Sequence, residues 1–256
     1  MARLSSDILT EPPPPDADCR IAYGPEPLQF GDLRVPRGTG PHPLVVLIHG
    51  GFWQAIYNLT HAGHVCVDLS AHGIASWNVE YRRIGDPGGG WSATLDDVRL
   101  ALAYVHDLAA VHSIDANRVV IVGHSAGAQL ALLAAMYSQL PVRGVISLAG
   151  VVDPAETAAR GHDRGLIARF LRTNDPDSEV WRVASPRAQV PLGLSYVIAC
   201  GTDDALWDSN EAMADAARAA GDDARLVALP GAGHFELIDP QAREWAQIRS
   251  EIQRLL

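Results

Sequence analysis

The sequence predicts an α/β protein: a doubly wound, mostly parallel sheet with helices on both faces and a small irregular helical excursion. Two observations carry this. From Pro43 onward, short apolar runs alternate with longer segments of helical period, the pattern of parallel strands joined by crossover helices. At 256 residues the chain is also long enough for one large core.

The candidate parallel strands are Leu44–His49, Ala75–Tyr81, Val119–Gly123, Val145–Leu148, Tyr196–Cys200 and Arg225–Leu229. Between them, Leu95, Val98, Leu102, Val105 and Leu108 recur at helical spacing and form one apolar stripe. Asp239-Pro240 reads as the N-cap and first turn of a last helix, with Trp245, Ile248, Ile252 and Leu255 on its buried face. Upstream, Leu28, Phe30, Leu33 and Val35 around a Gly31-Asp32 turn signal predict a short antiparallel hairpin at the sheet edge. Residues 1–20 read as a leader or arm, because Glu11-Pro12-Pro13-Pro14-Pro15 cannot form a helix interior. Residues 21–256 read as one domain. Within it, Asp153-Pro154, Asn174-Asp175-Pro176 and Ser185-Pro186 break the rhythm, which predicts a cap-like excursion over 151–192.

Composition narrows the function. Hydrophobic residues make up 48% and charged residues 20%, an ordinary globular balance. Lys+Arg 20 against Asp+Glu 30 gives a net charge of −10, and no basic run is long enough to track a phosphate backbone, so nucleic acid is not an expected partner. No apolar run reaches membrane-spanning length, and Met1 to Asp18 lacks the pattern of an export signal; a cytoplasmic location away from the membrane is expected. Cys19, Cys66 and Cys200 lie far apart without CxxC spacing, which suggests neither a disulfide framework nor a zinc site. The oligomeric state is left open.

Gly123-His124-Ser125-Ala126-Gly127 fits G-x-S-x-G, after the apolar strand Val119–Val122 and before a helical stretch, Ala128–Met136. A turn this sharp needs small neighbours and lifts the serine hydroxyl above the sheet, so Ser125 is the expected nucleophile. His49-Gly50-Gly51-Phe52-Trp53 follows the earlier strand, where glycines let backbone amides approach a substrate oxygen. The expected oxyanion donors are the amides of Gly51 or Phe52 together with Ala126, with His49 bracing the loop. Serine needs an imidazole to take its proton and a carboxylate to hold the imidazole's tautomer. Gly233-His234-Phe235 supplies the base, His234, late enough in the chain to follow an acid. Asp204, after Gly201, is the favoured acid, with Asp203 and Asp153 as alternatives.

Other features invite sharper readings. His61, His64 and Asp68 have a spacing that could present metal ligands on a helix, though a solvated face explains them more simply. Gly88-Gly89-Gly90 lacks the Lys-Ser/Thr of a phosphate loop and reads as a flexible loop beside the site. Trp53, Trp91, Trp181 and Trp207 sit near the carboxyl ends of strands, with core packing the default for each. The tentative substrate pocket comprises Trp53, His124 and Trp207, with Trp53 as a wall of the acyl site and the Phe52 ring buried.

Together these residues resemble the α/β-hydrolase superfamily, in the branch of small esterases, arylformamidases and prolyl-oligopeptidase-like hydrolases with an HGG-aromatic-Trp loop. His49-Gly50-Gly51-Phe52-Trp53-Gln54 is similar to the kynurenine formamidase form of the oxyanion loop, and Asn78-Val79-Glu80-Tyr81-Arg82-Arg83 to the strand segment that follows in that branch. The resemblance implies a Ser125, Asp204 and His234 triad with no metal and no organic cofactor. The expected function is hydrolysis of small carboxylic esters through an acyl-enzyme. Arylformamidase or small-peptidase activity on an amide is the alternative, and a non-catalytic binding protein on the same fold is the remote one.

Overall fold

The computed structural model describes residues 5–161 and 164–256; residues 1–4 of the predicted leader, and His162 and Asp163 of the predicted excursion, lie outside them. In chain order the strands are β1 (Cys19–Ala22), β2 (Phe30–Arg34), β3 (His42–Ile48), β4 (Ala75–Val79), β5 (Ile114–His124), β6 (Val142–Leu148), β7 (Ser195–Gly201) and β8 (Asp223–Leu229). The helices are α1 (Gly63–Ala71), α2 (Ala93–Val111), α3 (Ala126–Ala135), α4 (Pro154–Ala159), α5 (Arg164–Leu171), α6 (Glu179–Val183), α7 (Trp207–Ala219) and α8 (Arg243–Leu255). The strands form a sheet in the order β1-β2-β4-β3-β5-β6-β7-β8. β1 and β2 run antiparallel to their neighbours, and the remaining pairs are parallel.

All six predicted parallel strands are present, and their continuous apolar runs reflect burial on both faces. Successive side chains alternate between two cores. Leu44, Val46 and Ile48 of β3 pack with residues of α2, α3 and α7, whereas Val45 and Leu47 pack with residues of α1 and α8. In β5, Val119 and Ile121 join the first core and Val120 and Val122 the second. The predicted stripe of α2 and the predicted face of α8 are buried as expected. Each such side chain contributes roughly 1.5–3 kcal/mol relative to exposure.

Two local expectations are corrected. The edge hairpin exists, but Gly31-Asp32 lies inside β2, and the turn falls earlier, where the Tyr23 amide donates to the Gln29 carbonyl at 2.9 Å. Gly31 is small for a different reason: a Cβ there would lie 2.1 Å from Trp77 Nε1 of β4. The last helix begins at Arg243, because Asp239 instead closes a turn, accepting from the Gln241 amide at 2.9 Å. β1 starts within the predicted leader, and α4, α5, α6 and a 3-10 turn at Arg187–Gln189 make up the excursion.

β3 lies between β4 and β5, so the chain leaves β3 to one side and later returns on the other. The loops beyond the carboxyl ends of β3 and β5 part there and leave a crevice. Gly50–Trp53 and Ser125 both lie at that end.

Candidate active site

β5 ends at His124 and α3 begins at Ala126, so Ser125 alone makes the turn, with φ 55° and ψ −120°. That conformation is strained for a residue with a Cβ. The flanking glycines permit it: a Cβ on Gly123 would lie 2.4 Å from the Gly127 carbonyl oxygen, and one on Gly127 2.3 Å from those of Ile48 and His49.

After β7, the Asp204 amide donates to the Gly201 carbonyl at 3.2 Å, turning the buried Asp204 carboxylate back across the sheet end. Its Oδ1 accepts the Leu206 amide at 2.8 Å, and its Oδ2 accepts from His234 Nδ1 at 2.7 Å. With Nδ1 engaged, the imidazole can exchange a proton only through Nε2. Asp203 is exposed, and Asp153 caps α4 and pairs with Arg187 at 2.7 Å. Of the three acid candidates, only Asp204 meets His234.

Among the described hydrogen bonds, the amides of Gly51, Phe52 and Ala126 donate to no protein acceptor. Gly51 and Phe52 have φ of 114° and 53°, which turns the loop sharply after β3. Beneath it, the Nδ1 of buried His49 lies 2.7 Å from the Gly50 carbonyl oxygen and its Nε2 2.9 Å from Glu80 Oε1, while Tyr81 Oη donates to the His49 carbonyl at 2.7 Å. His49 therefore braces the loop, as expected. Burial works to raise the Glu80 pKa, but His49, Arg83 and the Tyr81 amide outweigh it and hold the carboxyl below its ordinary value.

A two-lobed cleft opens over Ser125 and His234. The first lobe, about 190 Å³, runs past Phe52, Tyr57, His61 and Phe235; the second, about 250 Å³, runs past Phe52, Thr157, Ala205 and Leu206. Phe52 borders both, so its ring is a pocket wall and not a buried core group. Trp53 is the corrected counterpart: fully buried, it stacks on Phe170 at 4.3 Å and donates from Nε1 to Gln129 Oε1 at 2.9 Å. Trp207 likewise packs on the second core and does not line either lobe. His124 does line the first lobe, and its Nε2 donates to the His234 carbonyl at 3.0 Å. Burial, then the nearby His234, hold the His124 imidazole well below its ordinary pKa.

His61 does not lie on a solvated face: it faces the first lobe from a 3-10 turn at Leu59–Ala62, while His64 and Asp68 belong to α1. Burial, with His49 adding to it, pushes the His61 pKa down to about 3. Asp68 pairs with Arg249 at 2.7 Å, and His64 with the arm. The three diverge and form no ligand set. The Gly88-Gly89-Gly90 loop is tied down, with the Gly89 carbonyl accepting from Arg172 at 3.0 Å.

A family model described as Serine hydrolase matches residues 97–254. The chain belongs to the serine hydrolase family. A second model, BD-FAE, matches residues 32–155. Esterase LipC of Mycobacterium tuberculosis (strain ATCC 25618 / H37Rv) is 26% identical over 92% of this serine hydrolase and 65% of its own length. Probable isoprenylcysteine alpha-carbonyl methylesterase ICMEL1 of Arabidopsis thaliana is 25% identical over 85% of this chain, which spans only 50% of that relative. The solved structure titled Bacterial Heroin Esterase superposes with a TM-score of 0.76 at 26% identity, covering 89% of this chain and 79% of that one. The sheet and its helices are those of the α/β-hydrolase fold.

Several cleft residues of this serine hydrolase escaped the sequence reading. Tyr57, His61 and Leu206 reach the cleft from loops or short turns where no periodicity announces a direction. Glu80, just past the end of β4, lies within the Asn78–Arg83 segment singled out in the sequence, but its contact with His49 follows only from the fold. Leu9 lines the first lobe from a segment without a sequence-level role.

Proposed function

We propose that this serine hydrolase cleaves small carboxylic esters through an acyl-enzyme. Ser125 Oγ attacks the ester carbonyl as His234 Nε2 takes its proton. The oxyanion is held by the Ala126 amide together with that of Phe52 or Gly51. His234 then gives the proton to the departing alkoxide, and Asp204 keeps the imidazole in the required tautomer and stabilises its cation. Water repeats the cycle on the acyl-enzyme, releasing the carboxylic acid and restoring Ser125. This chemistry needs no metal or organic cofactor.

The observation that carries the reading is the 2.7 Å contact between buried Asp204 and His234, beside a strained Ser125 on the same cleft. The names of LipC and the heroin esterase support an ester as substrate. Two compact lobes bounded by Phe52 favour a short acyl group, with preference declining gradually at about 1–3 kcal/mol per methylene.

The test is kcat/KM for acetyl, butyryl and octanoyl p-nitrophenyl esters and for N-formylkynurenine. Acetyl or butyryl esters should lead. Dominance of N-formylkynurenine, the substrate pointed to by the His49–Gln54 resemblance, would make the protein an arylformamidase instead.

A further inference from the structure

The proline-rich arm before β1 takes no part in the chemistry above, yet it is built into the molecule. Ile8 is 2% exposed and packs into the core that holds α1 and α8. The Thr10 and Glu11 amides donate to the Asp7 carbonyl at 2.9 and 3.0 Å, which closes a turn around Leu9. Further on, His64 Nε2 donates to the Pro12 carbonyl at 3.1 Å, and Arg34 donates to the carbonyls of Pro15 and Asp16. Pro14 lies against Gly63, where a Cβ would come within 2.5 Å of its Cγ.

Anchored on both sides, Leu9 is half-buried over the cleft and lines its first lobe with Tyr57, His61 and Ser125. The same residues, Leu9, Tyr57 and His61, also line a cavity of about 240 Å³ beneath the arm, bounded further out by Pro13 and Ile56 on its apolar side and by Glu11, Asn58, Thr60 and His64 on its polar side. They stand between the two spaces, and Leu9 is their aliphatic member.

We infer that Leu9 closes the far end of the first lobe and sets the length of the alkyl tail that an ester can place there. The inference rests on the reading of this cleft as an ester site. A tail that outgrows the lobe meets the Leu9 isobutyl group. Removing that group joins the lobe to the cavity beneath the arm, where the exposed Ile56 offers further apolar surface. A larger side chain at the same position shortens the lobe.

The test compares wild type, Leu9→Ala and Leu9→Trp in two series: p-nitrophenyl esters from acetyl to decanoyl, which vary the acyl half, and acetates of alcohols from methanol to octanol, which vary the other half. In one series, Leu9→Ala should raise kcat/KM for the eight-carbon member relative to the four-carbon member by roughly tenfold or more, as expected when a tail of several methylenes gains an apolar site. Leu9→Trp should lower the same ratio, and the series that responds identifies the half of the ester held in the lobe. Unchanged ratios in both series, with wild-type circular dichroism, would overturn the inference and leave the esterase reading standing. A folded wild-type protein that hydrolyses no member of either series would overturn both.

Discussion

Glu80 Oε1 meets His49 Nε2 at 2.9 Å beneath the loop that carries the Gly51 and Phe52 amides, with both side chains buried. Glu80 also pairs with Arg83 at 2.9 Å and accepts the Leu59 amide at 3.2 Å. One carboxylate thus ties the end of β4 to the loop after β3 and to the turn that bears His61.

Glu80→Gln keeps the shape of the side chain and removes the charge that His49 and Arg83 face. Breaking a buried pair in this way costs about 3–5 kcal/mol. The urea midpoint should fall accordingly. Because the proposed oxyanion amides would lose their brace, kcat should fall more than KM rises, by less than the ~10²–10³ that follows loss of a whole donor. A change in KM alone would place Glu80 outside the positioning of these amides.

Asp204→Asn should lower turnover by roughly 10⁴, since an amide can hold the His234 ring in the wrong tautomer. Asp203→Asn should leave turnover near wild type, because the exposed Asp203 does not touch His234. Asp153→Asn should act on stability through its pairing with Arg187, again with turnover retained. Steady-state kinetics on the three variants decide among the acids.

Stability should fall as pH drops from about 6.5 toward 3. The His61 pKa is depressed to about 3 by burial, so in that interval the unfolded chain binds a proton that the folded chain refuses. Folding therefore gains from a neutral His61 above the unfolded pKa and loses that gain progressively below it. His124, depressed in the same direction, adds to the slope, as does the lowered pKa of Glu80 at the acid end. Urea unfolding between pH 7 and pH 4 should be less pH-dependent in His61→Gln than in wild type; an identical slope would show that His61 protonates freely in the fold.

Much of this was legible in the sequence, for reasons that can be named. Strands such as β3 and β5 are buried on both faces, so they read as uninterrupted apolar runs. Ser125 sits between two glycines that backbone contacts demand, and that demand leaves a signature. Asp204 could not be separated from Asp203 by spacing, because the choice depends on which carboxylate the turn after Gly201 directs inward. The direction of adjacent aromatic rings was equally hidden. Phe52 and Trp53 both have positive φ, at 53° and 58°, and only the fold reveals that the first faces the cleft while the second is buried against Phe170. Leu9 was illegible because it comes from an irregular arm whose course is set by anchors as distant as Arg34 and His64.

If Ser125 carries the acyl group, a reagent that traps nucleophilic serines should find it. Wild type and Ser125→Ala would be treated with a fluorophosphonate, and the labelled peptide identified by mass spectrometry alongside an assay of p-nitrophenyl butyrate hydrolysis. One adduct is expected, on Ser125, with loss of hydrolysis in wild type, and neither label nor turnover in a folded Ser125→Ala protein. An adduct on another serine, or near-normal turnover in Ser125→Ala, would contradict it.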